Sequence, residues 1–405
     1  MLIAWLSHLR LRTLCAGYGD DAKTLMLNTK LIRLYSVAGS MLILGGSAAA
    51  DFAADCRSAV SETAIRACSI VIDGGPSRSN GLAIAYVYRG MAYETSGDYD
   101  RALSDLTKAV ELRPDLPGAY SNRGNIYLRQ GRKDLALTDY TEAIRLEPNF
   151  AGAYFNRGNL YFQMGDFEKA LRDLTAAIHL DPKNASGTFN RGLVYRTKGE
   201  LENAAADFRS ALEINPNHKQ AGLALKDLAA TYNNRGADLY QRGQIDEAIA
   251  EFNQALSIEP TLEKTYYNRG NAYYRKKLFD EAIADFSQAI KLNANIELAY
   301  MNRGNALSNK GELDQALADF DRVIQLNPKN ADGFFNRAVA LARKHEYQRA
   351  VADYSEAIAL APGLAAAYAG RSDALELTGQ HEAAQRDLEK VHELDQLKQG
   401  SKHDP

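Results

Sequence analysis

Residues 151–184 read AGAYFNRGNLYFQMGDFEKALRDLTAAIHLDPKN, and residues 185–218 follow the same pattern of glycine, alanine, aromatic and proline positions. The Asn-Arg-Gly step sets the register. Its arginine recurs at intervals of 34 residues, with a single interval of 44, at Arg89, Arg123, Arg157, Arg191, Arg235, Arg269, Arg303, Arg337 and Arg371. Self-similarity at this period indicates stacked supersecondary units rather than separate globular domains.

Each repeat has the features of two helices joined by a turn. With the arginine as position 7, the repeat at 117–150 has Gly124 at position 8 and Ala136 at position 20, two small residues expected to face each other across closely packed helices. Gly131 at position 15 suits the left-handed end of the first helix, and Pro148 at position 32 stops the second. Large residues with helical spacing occupy positions 4, 11 and 24: Tyr120, Tyr127 and Tyr140.

This combination of period and positions resembles the tetratricopeptide repeat (TPR) family, whose unit is a helix–turn–helix. The resemblance covers about residues 83–395, in nine repeats, and has the Asn-Arg-Gly signature of a bacterial TPR type. It implies an all-α fold, a right-handed α-solenoid (superhelix) of antiparallel helix pairs. One repeat cannot bury its apolar face alone, whereas stacked repeats bury a continuous core.

The repeat boundaries divide the chain into segments. We expect a degenerate capping helix pair at 51–82, repeats 1–4 at 83–216, a helical insertion at 217–228, repeats 5–9 at 229–395 and a polar tail at 396–405. The insertion reflects the ten extra residues of the long interval, close to three helical turns. Either the next helix begins three turns early, or the extra segment caps the first repeats and leaves a joint.

Residues 1–50 differ from the repeats and are interpreted as an N-terminal extension plus a signal peptide. From Met26, two basic residues precede an uncharged apolar run, and small residues ending at Ala50 suit cleavage there. Residues 1–25 contain two aspartates and do not fit such a signal, so Met26 is the expected start. We predict export to a bacterial periplasm, without stable membrane insertion after cleavage. The alternative is an uncleaved inner-membrane anchor.

Cys56 and Cys68 remain after the predicted cleavage. In an oxidising compartment the pair would form a disulfide. The alternative is that both are small buried apolar residues on a short helical pair.

Position 23 is acidic in all nine repeats, aspartate in eight and Glu251 in the fifth. An arginine on the first helix and an acid on the second, repeated together, predict a structural ion-pair ladder rather than ligand-binding arginines. Such pairs add little net stability, because desolvation offsets their attraction.

Composition excludes several classes of function. The net charge of −3 offers no basic excess for nucleic acid. The histidines fall at unrelated repeat positions, and neither a metal-ligand spacing nor a Ser-His-Asp or Cys-His set is evident. We therefore expect no enzyme activity, no metal and no cofactor.

Resemblance to the TPR family implies that positions 2, 5, 9, 12 and 13 of the first helix line a concave groove, with position 6 nearby. A side-chain amide offers a donor and an acceptor, so it can pair with a peptide backbone without reading its sequence. Asparagine occupies position 6 in seven consecutive repeats and position 9 in four: Asn122, Asn156, Asn190, Asn234, Asn268, Asn302, Asn336, and Asn125, Asn159, Asn271, Asn305. The alternative role for position 6 is to tie the first helix to its neighbour.

Aromatic and arginine side chains at positions 5, 12 and 13 complete the candidate groove, a composition typical of interaction hot spots. They are Phe155, Phe162, Phe189, Tyr240, Tyr267, Tyr274 and Phe335, with Arg129, Arg196, Arg275 and Arg343. Alternatively, some of the aromatic rings pack between helices. Position 5 is never lysine, which argues against the clamp with which some TPR proteins hold a C-terminal carboxylate.

The sequence thus favours a non-enzymatic scaffold or adaptor that binds an extended segment of a partner protein and mediates complex assembly. Two alternatives stay open. One is an accessory protein for an enzyme or for envelope polysaccharide export. The other is self-association through the end repeats, without a groove ligand.

Overall fold

The computed structural model describes residues 55–57, 62–74 and 79–400, and these contain helices and turns without a β-strand. The predicted signal peptide at 1–50 lies outside the described residues, as do residues 401–405. The described chain falls into two compact blocks, an N-terminal block through His218 and a C-terminal block from Lys219. The predicted all-α fold is confirmed.

Over its described residues, the N-terminal block contains a short helical segment at 55–57, a capping helix and four helix pairs. Each pair coincides with one repeat of the sequence. The helices are α1 Glu62–Asp73, α2 Ser79–Ser96, α3 Tyr99–Leu112, α4 Pro117–Arg129, α5 Lys133–Leu146, α6 Ala151–Gln163, α7 Phe167–Leu180, α8 Ala185–Lys198 and α9 Leu201–Ile214.

The C-terminal block contains five further pairs. Its first helix is 23 residues long and unbroken, so the extra residues of the long interval extend this helix at its N-terminus. Its last helix continues past the tail boundary predicted at 396, because neither glycine nor proline interrupts it before Gly400. The helices are α10 Lys219–Gln241, α11 Ile245–Ile258, α12 Glu263–Arg275, α13 Phe279–Leu292, α14 Glu297–Lys310, α15 Leu313–Leu326, α16 Ala331–Arg343, α17 Tyr347–Leu360, α18 Ala365–Leu377 and α19 His381–Gly400.

Position 15 has a left-handed backbone in every repeat, as its frequent glycine predicts. The seven glycines there have φ between 75° and 88°. Lys277 and His345 occupy the same position with φ of 62° and 63°. A β-carbon in this conformation crowds the carbonyl group that follows it. These two repeats therefore form the same turn, but the left-handed residue raises the free energy of the folded state.

The glycine at position 8 makes room for the large residue at position 24. A β-carbon added to Gly270 would lie 2.8 Å from Cε1 of Phe286, whose side chain is fully buried on α13. Ala282, at position 20, is also fully buried. The small residues therefore allow close helix approach as predicted, but the ring at position 24, rather than the alanine, faces the glycine.

The predicted ion-pair ladder is confirmed in both blocks. Arg123 donates from Nε and Nη2 to the two carboxylate oxygens of Asp139, both at 2.8 Å. The guanidinium of Arg123 also lies over the rings of Tyr120 and Tyr127, 5.5 and 5.8 Å from their centroids. Eight repeats have this bidentate pairing, whereas Glu251 in the fifth contacts Arg235 at 3.1 Å.

Most of these arginines also join consecutive repeats. Arg303 donates from Nη1 to Oγ of Ser287, on the second helix of the preceding repeat, at 2.9 Å. Arg371 makes the equivalent bond to Ser355 at 3.0 Å. One side chain thus connects three helices, which fixes the register of the stack.

The N-terminal cap is joined by a disulfide between Cys56 and Cys68. Both cysteines are buried and pack with Ala85 of α2, so the cap is attached to the first repeat. Within the described ranges, no helix has the length and apolar character needed to cross a membrane.

Candidate functional site

First helices of the N-terminal block line a groove. It encloses about 360 Å³ between α2, α4 and α6 and the loops that precede α4 and α6. Asn122, Asn125 and Asn156, three of the asparagines predicted from the sequence, line it together. The repeat geometry therefore brings amides from two neighbouring repeats to one surface.

Most position-6 asparagines also bond to the preceding repeat. Asn156 and Asn302 donate from Nδ2 to Oδ1 of the preceding position-9 asparagines, Asn125 and Asn271, at 3.1 and 2.8 Å. In two other repeats the acceptor is the position-5 residue of the preceding repeat. Asn268 donates to Oδ1 of Asn233, and Asn336 donates to the sulfur of Met301. The asparagines thus do tie the first helices together, the alternative raised from the sequence.

This pairing leaves a donor and an acceptor in the groove. Oδ1 of Asn125 accepts from the hydroxyl of Tyr140 at 2.8 Å and from Asn156. Burial raises the pKa of Tyr140, so its hydroxyl stays protonated and keeps donating. Within the described chain, no hydrogen bond engages Nδ2 of Asn125 or Oδ1 of Asn156, and these atoms match the C=O and N–H of a peptide.

Four of the predicted ligand-facing residues are buried and have almost no surface to offer a ligand. Phe155 and Asn159 are 8% and 4% exposed, and Phe189 and Asn190 are 6% and 7% exposed. Asn190 donates to Asn159 at 2.8 Å, and the ring of Phe189 lies 4.8 Å from that of His218. Burial lowers the pKa of His218, which favours the neutral imidazole. These four residues belong to the packed interior of repeats 3 and 4.

The other predicted aromatic residues are half-buried, because one face of each ring packs inside the protein. Tyr267 lies against Phe286, with ring centroids 6.0 Å apart, and its hydroxyl accepts from Asn302. Tyr274 packs on Phe279 in the same way. The rings of Phe162, Phe335 and Tyr240 contact Phe167, Tyr354 and Arg275.

The predicted groove arginines at position 13 bind helix ends. Arg275 donates to the backbone carbonyl of Tyr240 at 3.3 Å, and Arg343 donates to the backbone carbonyl of Ser308. Each acceptor lies near the C-terminus of the preceding first helix, where a cation is favourable. Both arginines and Arg196 are exposed, and Arg129 is half-buried.

The remaining predicted asparagines lie in the C-terminal block. Asn234 is exposed and accepts from Asn233 at 3.3 Å. Asn271 and Asn305 are half-buried.

Several groove residues were not predicted from the sequence. Ile84, Val87 and Met91 occupy positions 2, 5 and 9 of repeat 1, so these three groove positions hold neither an asparagine nor an aromatic residue there. Phe150 and Glu147 reach the groove from the loop before α6. The small residues at position 2 of repeats 2 and 3 are the signal that would have identified this part of the groove.

Among the described residues, no group of three or more histidine, cysteine, aspartate or glutamate side chains is arranged to hold a metal ion. The acidic residues of position 23 are instead paired with arginines.

Comparison with known families agrees with the repeat register. Models described as tetratricopeptide or TPR repeats match residues 90–131, 124–165, 155–219, 236–277, 263–296, 298–330 and 331–364. No curated protein matches the chain.

Similar solved structures include a crystal structure of MamA, 25% identical over 41% of this chain and 96% of that one, with a TM-score of 0.40. MamA from Desulfovibrio magneticus RS-1 is 20% identical, and the match covers 42% of this chain and 95% of that one, with a TM-score of 0.40. A tetratricopeptide repeat protein from Parabacteroides merdae ATCC 43184 is 24% identical, and the match covers 65% of this chain and 100% of that one, with a TM-score of 0.34. From its family matches, the chain belongs to the tetratricopeptide repeat family and is a scaffold of the protein–protein interaction type.

Proposed function

We propose that this protein is a non-enzymatic scaffold that holds an extended segment of a partner protein in the groove between α2, α4 and α6. The supporting observation is the unengaged donor on Asn125 and the unengaged acceptor on Asn156, which line one groove. A peptide backbone in extended form presents both complementary groups to such a surface.

Site-specific photo-crosslinking tests this proposal. A photoreactive amino acid at Val87 lies in the groove, whereas one at Leu135, 38% exposed on α5 and absent from the groove lining, serves as the matched control. We expect one partner protein to crosslink from Val87 and not from Leu135. Equal crosslinking from both positions would contradict the groove assignment.

A substitution gives a second readout. Asn122 lines the groove and makes no side-chain hydrogen bond within the described residues, so Asn122→Ala should preserve stability while weakening partner binding several-fold. Asn149→Ala, in the exposed turn before α6, is the control and should bind normally.

The proposal includes export to the periplasm. The Cys56–Cys68 disulfide supports it, because disulfides persist mainly in oxidising compartments. Cell fractionation with N-terminal sequencing is the test, and we expect periplasmic protein that begins at Asp51. A full-length cytoplasmic product would refute export, and an intact membrane-bound product would favour the uncleaved anchor.

A further inference from the structure

The groove of the N-terminal block is open beside Gly118 and Gly152, because position 2 of repeats 2 and 3 carries no side chain. A β-carbon added to Gly118 would have no atom within 4 Å, so this residue faces free space in the groove. Repeats 6–8 instead carry Lys264, Leu298 and Asp332 at position 2. Repeats 6–8 thus share the repeat architecture but lack the glycine that opens the groove at repeats 2 and 3.

One wall of this groove is apolar. Ile84, Val87 and Met91 contribute it from α2, and Leu116 and Phe150 contribute from the residues that precede α4 and α6. All five side chains are half-buried, so each keeps surface toward the groove. An aliphatic side chain placed against them would be removed from water, which favours binding.

The charged groups of the groove carry an excess of carboxylates. Arg113 donates to both carboxylate oxygens of Asp115, at 2.6 and 3.0 Å, so this cation is already compensated inside the groove. Glu147 is a further carboxylate in the lining. A groove with low-dielectric walls concentrates the field of its charges, so this lining attracts a cation.

We propose that the occupant of this groove is an extended polypeptide segment in which an aliphatic side chain stands beside a lysine or arginine. The aliphatic side chain packs on the wall formed by Ile84, Val87 and Met91, and the basic side chain pairs with Glu147. The amides of Asn125 and Asn156 bind the intervening backbone. This inference rests on the proposed function and adds the chemistry of the partner.

An array of synthetic peptides tests the preference with the full mature chain. Every pair of residue types is placed at two central positions of a glycine–serine background, and bound protein is measured. We expect the signal to concentrate on aliphatic–basic pairs, with affinity at least tenfold above aliphatic–acidic pairs.

Three variants connect that signal to the groove. Gly118→Leu fills the open floor and should abolish peptide binding at an unchanged melting temperature. Glu147→Lys should lower affinity for aliphatic–basic peptides at least tenfold and raise it for aliphatic–acidic ones. Glu356→Lys makes the same charge change on exposed helix α17 and should have no effect.

The possible results separate the two proposals. Suppose that Gly118→Leu abolishes peptide binding, but that neither the charge of the peptide nor Glu147→Lys changes the affinity. The aliphatic–basic preference would then be overturned, while the proposed groove function would stand. Binding that Gly118→Leu does not change would overturn both, because the bound segment would then lie elsewhere.

Discussion

At the scale of single residues, backbone conformation is set by the turn and not by the residue that occupies it. Position 15 is left-handed in all nine repeats, including those with Lys277 and His345. The helix packing on either side fixes the turn, so these two residues accept a conformation that glycine adopts freely. A single side chain can also serve two purposes: the amide of Asn156 joins two repeats and lines the groove.

Lys277→Gly should therefore stabilise the C-terminal block. Relief of the left-handed conformation is worth about 1–2 kcal/mol, and the extra freedom of glycine in the unfolded chain removes part of it. We expect a net gain of about 0.5–1 kcal/mol in urea unfolding. Lys277→Ala, which keeps the β-carbon, is the control, and an equal gain in that variant would show that the lysine side chain was the cause.

At the scale of helix pairs, one close contact controls the packing of seven of the nine repeats. The large side chain at position 24 of the second helix lies over a glycine of the first, and this contact recurs in both blocks. The arginine at position 7 then connects that pair to the preceding repeat. Packing and ion pairing thus act on the same two helices.

Gly270→Ala should destabilise its repeat, because the new methyl group would lie 2.8 Å from the fully buried ring of Phe286. Overpacking of this kind costs about 1–3 kcal/mol. Thermal or urea unfolding measures it. The matched control is Gly118→Ala, where nothing lies within 4 Å and no loss of stability is expected. Equal effects at the two sites would remove the packing argument.

Asp319→Ala should be costly, because it leaves the partly buried guanidinium of Arg303 without its bidentate partner. Removal of one partner of a buried pair costs about 3–5 kcal/mol. The double variant Arg303→Met with Asp319→Leu should regain most of that loss, as measured in a double-mutant cycle. If the double variant is as unstable as the single one, the pair contributes more than charge compensation.

A second set of ion pairs runs along the repeats. Lys310 of α14 binds Asp280 of α13 at 2.5 Å, and Lys198 of α8 binds Glu168 of α7 at 2.7 Å. The carboxylates are 79% exposed in each case, so solvent screens each pair, and it adds little stability, less still at high salt. The sequence analysis missed this set because the partners lie in adjacent repeats.

At the scale of the whole molecule, the free energy of unfolding is a sum of the intrinsic stabilities of the repeats and of the interfaces between neighbouring repeats. The stability of each block therefore depends on what covers its end repeats. The N-terminal block is closed by the disulfide-bonded cap, in which Cys56 and Cys68 pack on Ala85. A cap of this kind protects a helix face that the stack would otherwise leave open.

Replacement of Cys56 and Cys68 by serine should lower the stability of the N-terminal block by about 2–3 kcal/mol, since the cross-link closes a short loop. Hydrogen exchange should increase most in α1 and α2 and least in α8 and α9, because each repeat contacts only its neighbours. Uniform loss of protection from α2 to α9 would indicate one cooperative block instead. Mass spectrometry of the alkylated, unreduced wild type checks that the disulfide forms.

The sequence by itself determined the repeat, the helix pairs and the ladder between positions 7 and 23. These depend on residue types that recur at a fixed spacing, and neighbouring repeats impose the same geometry on each copy. Tertiary structure decided which groove positions stay accessible. Phe155 and Phe189 fit the groove pattern yet are buried, whereas Ile84, which is neither amide nor aromatic, and Glu147, which lies outside the first helix, line the groove. Burial depends on what packs against a residue from elsewhere in the chain, and a periodic pattern does not contain that information.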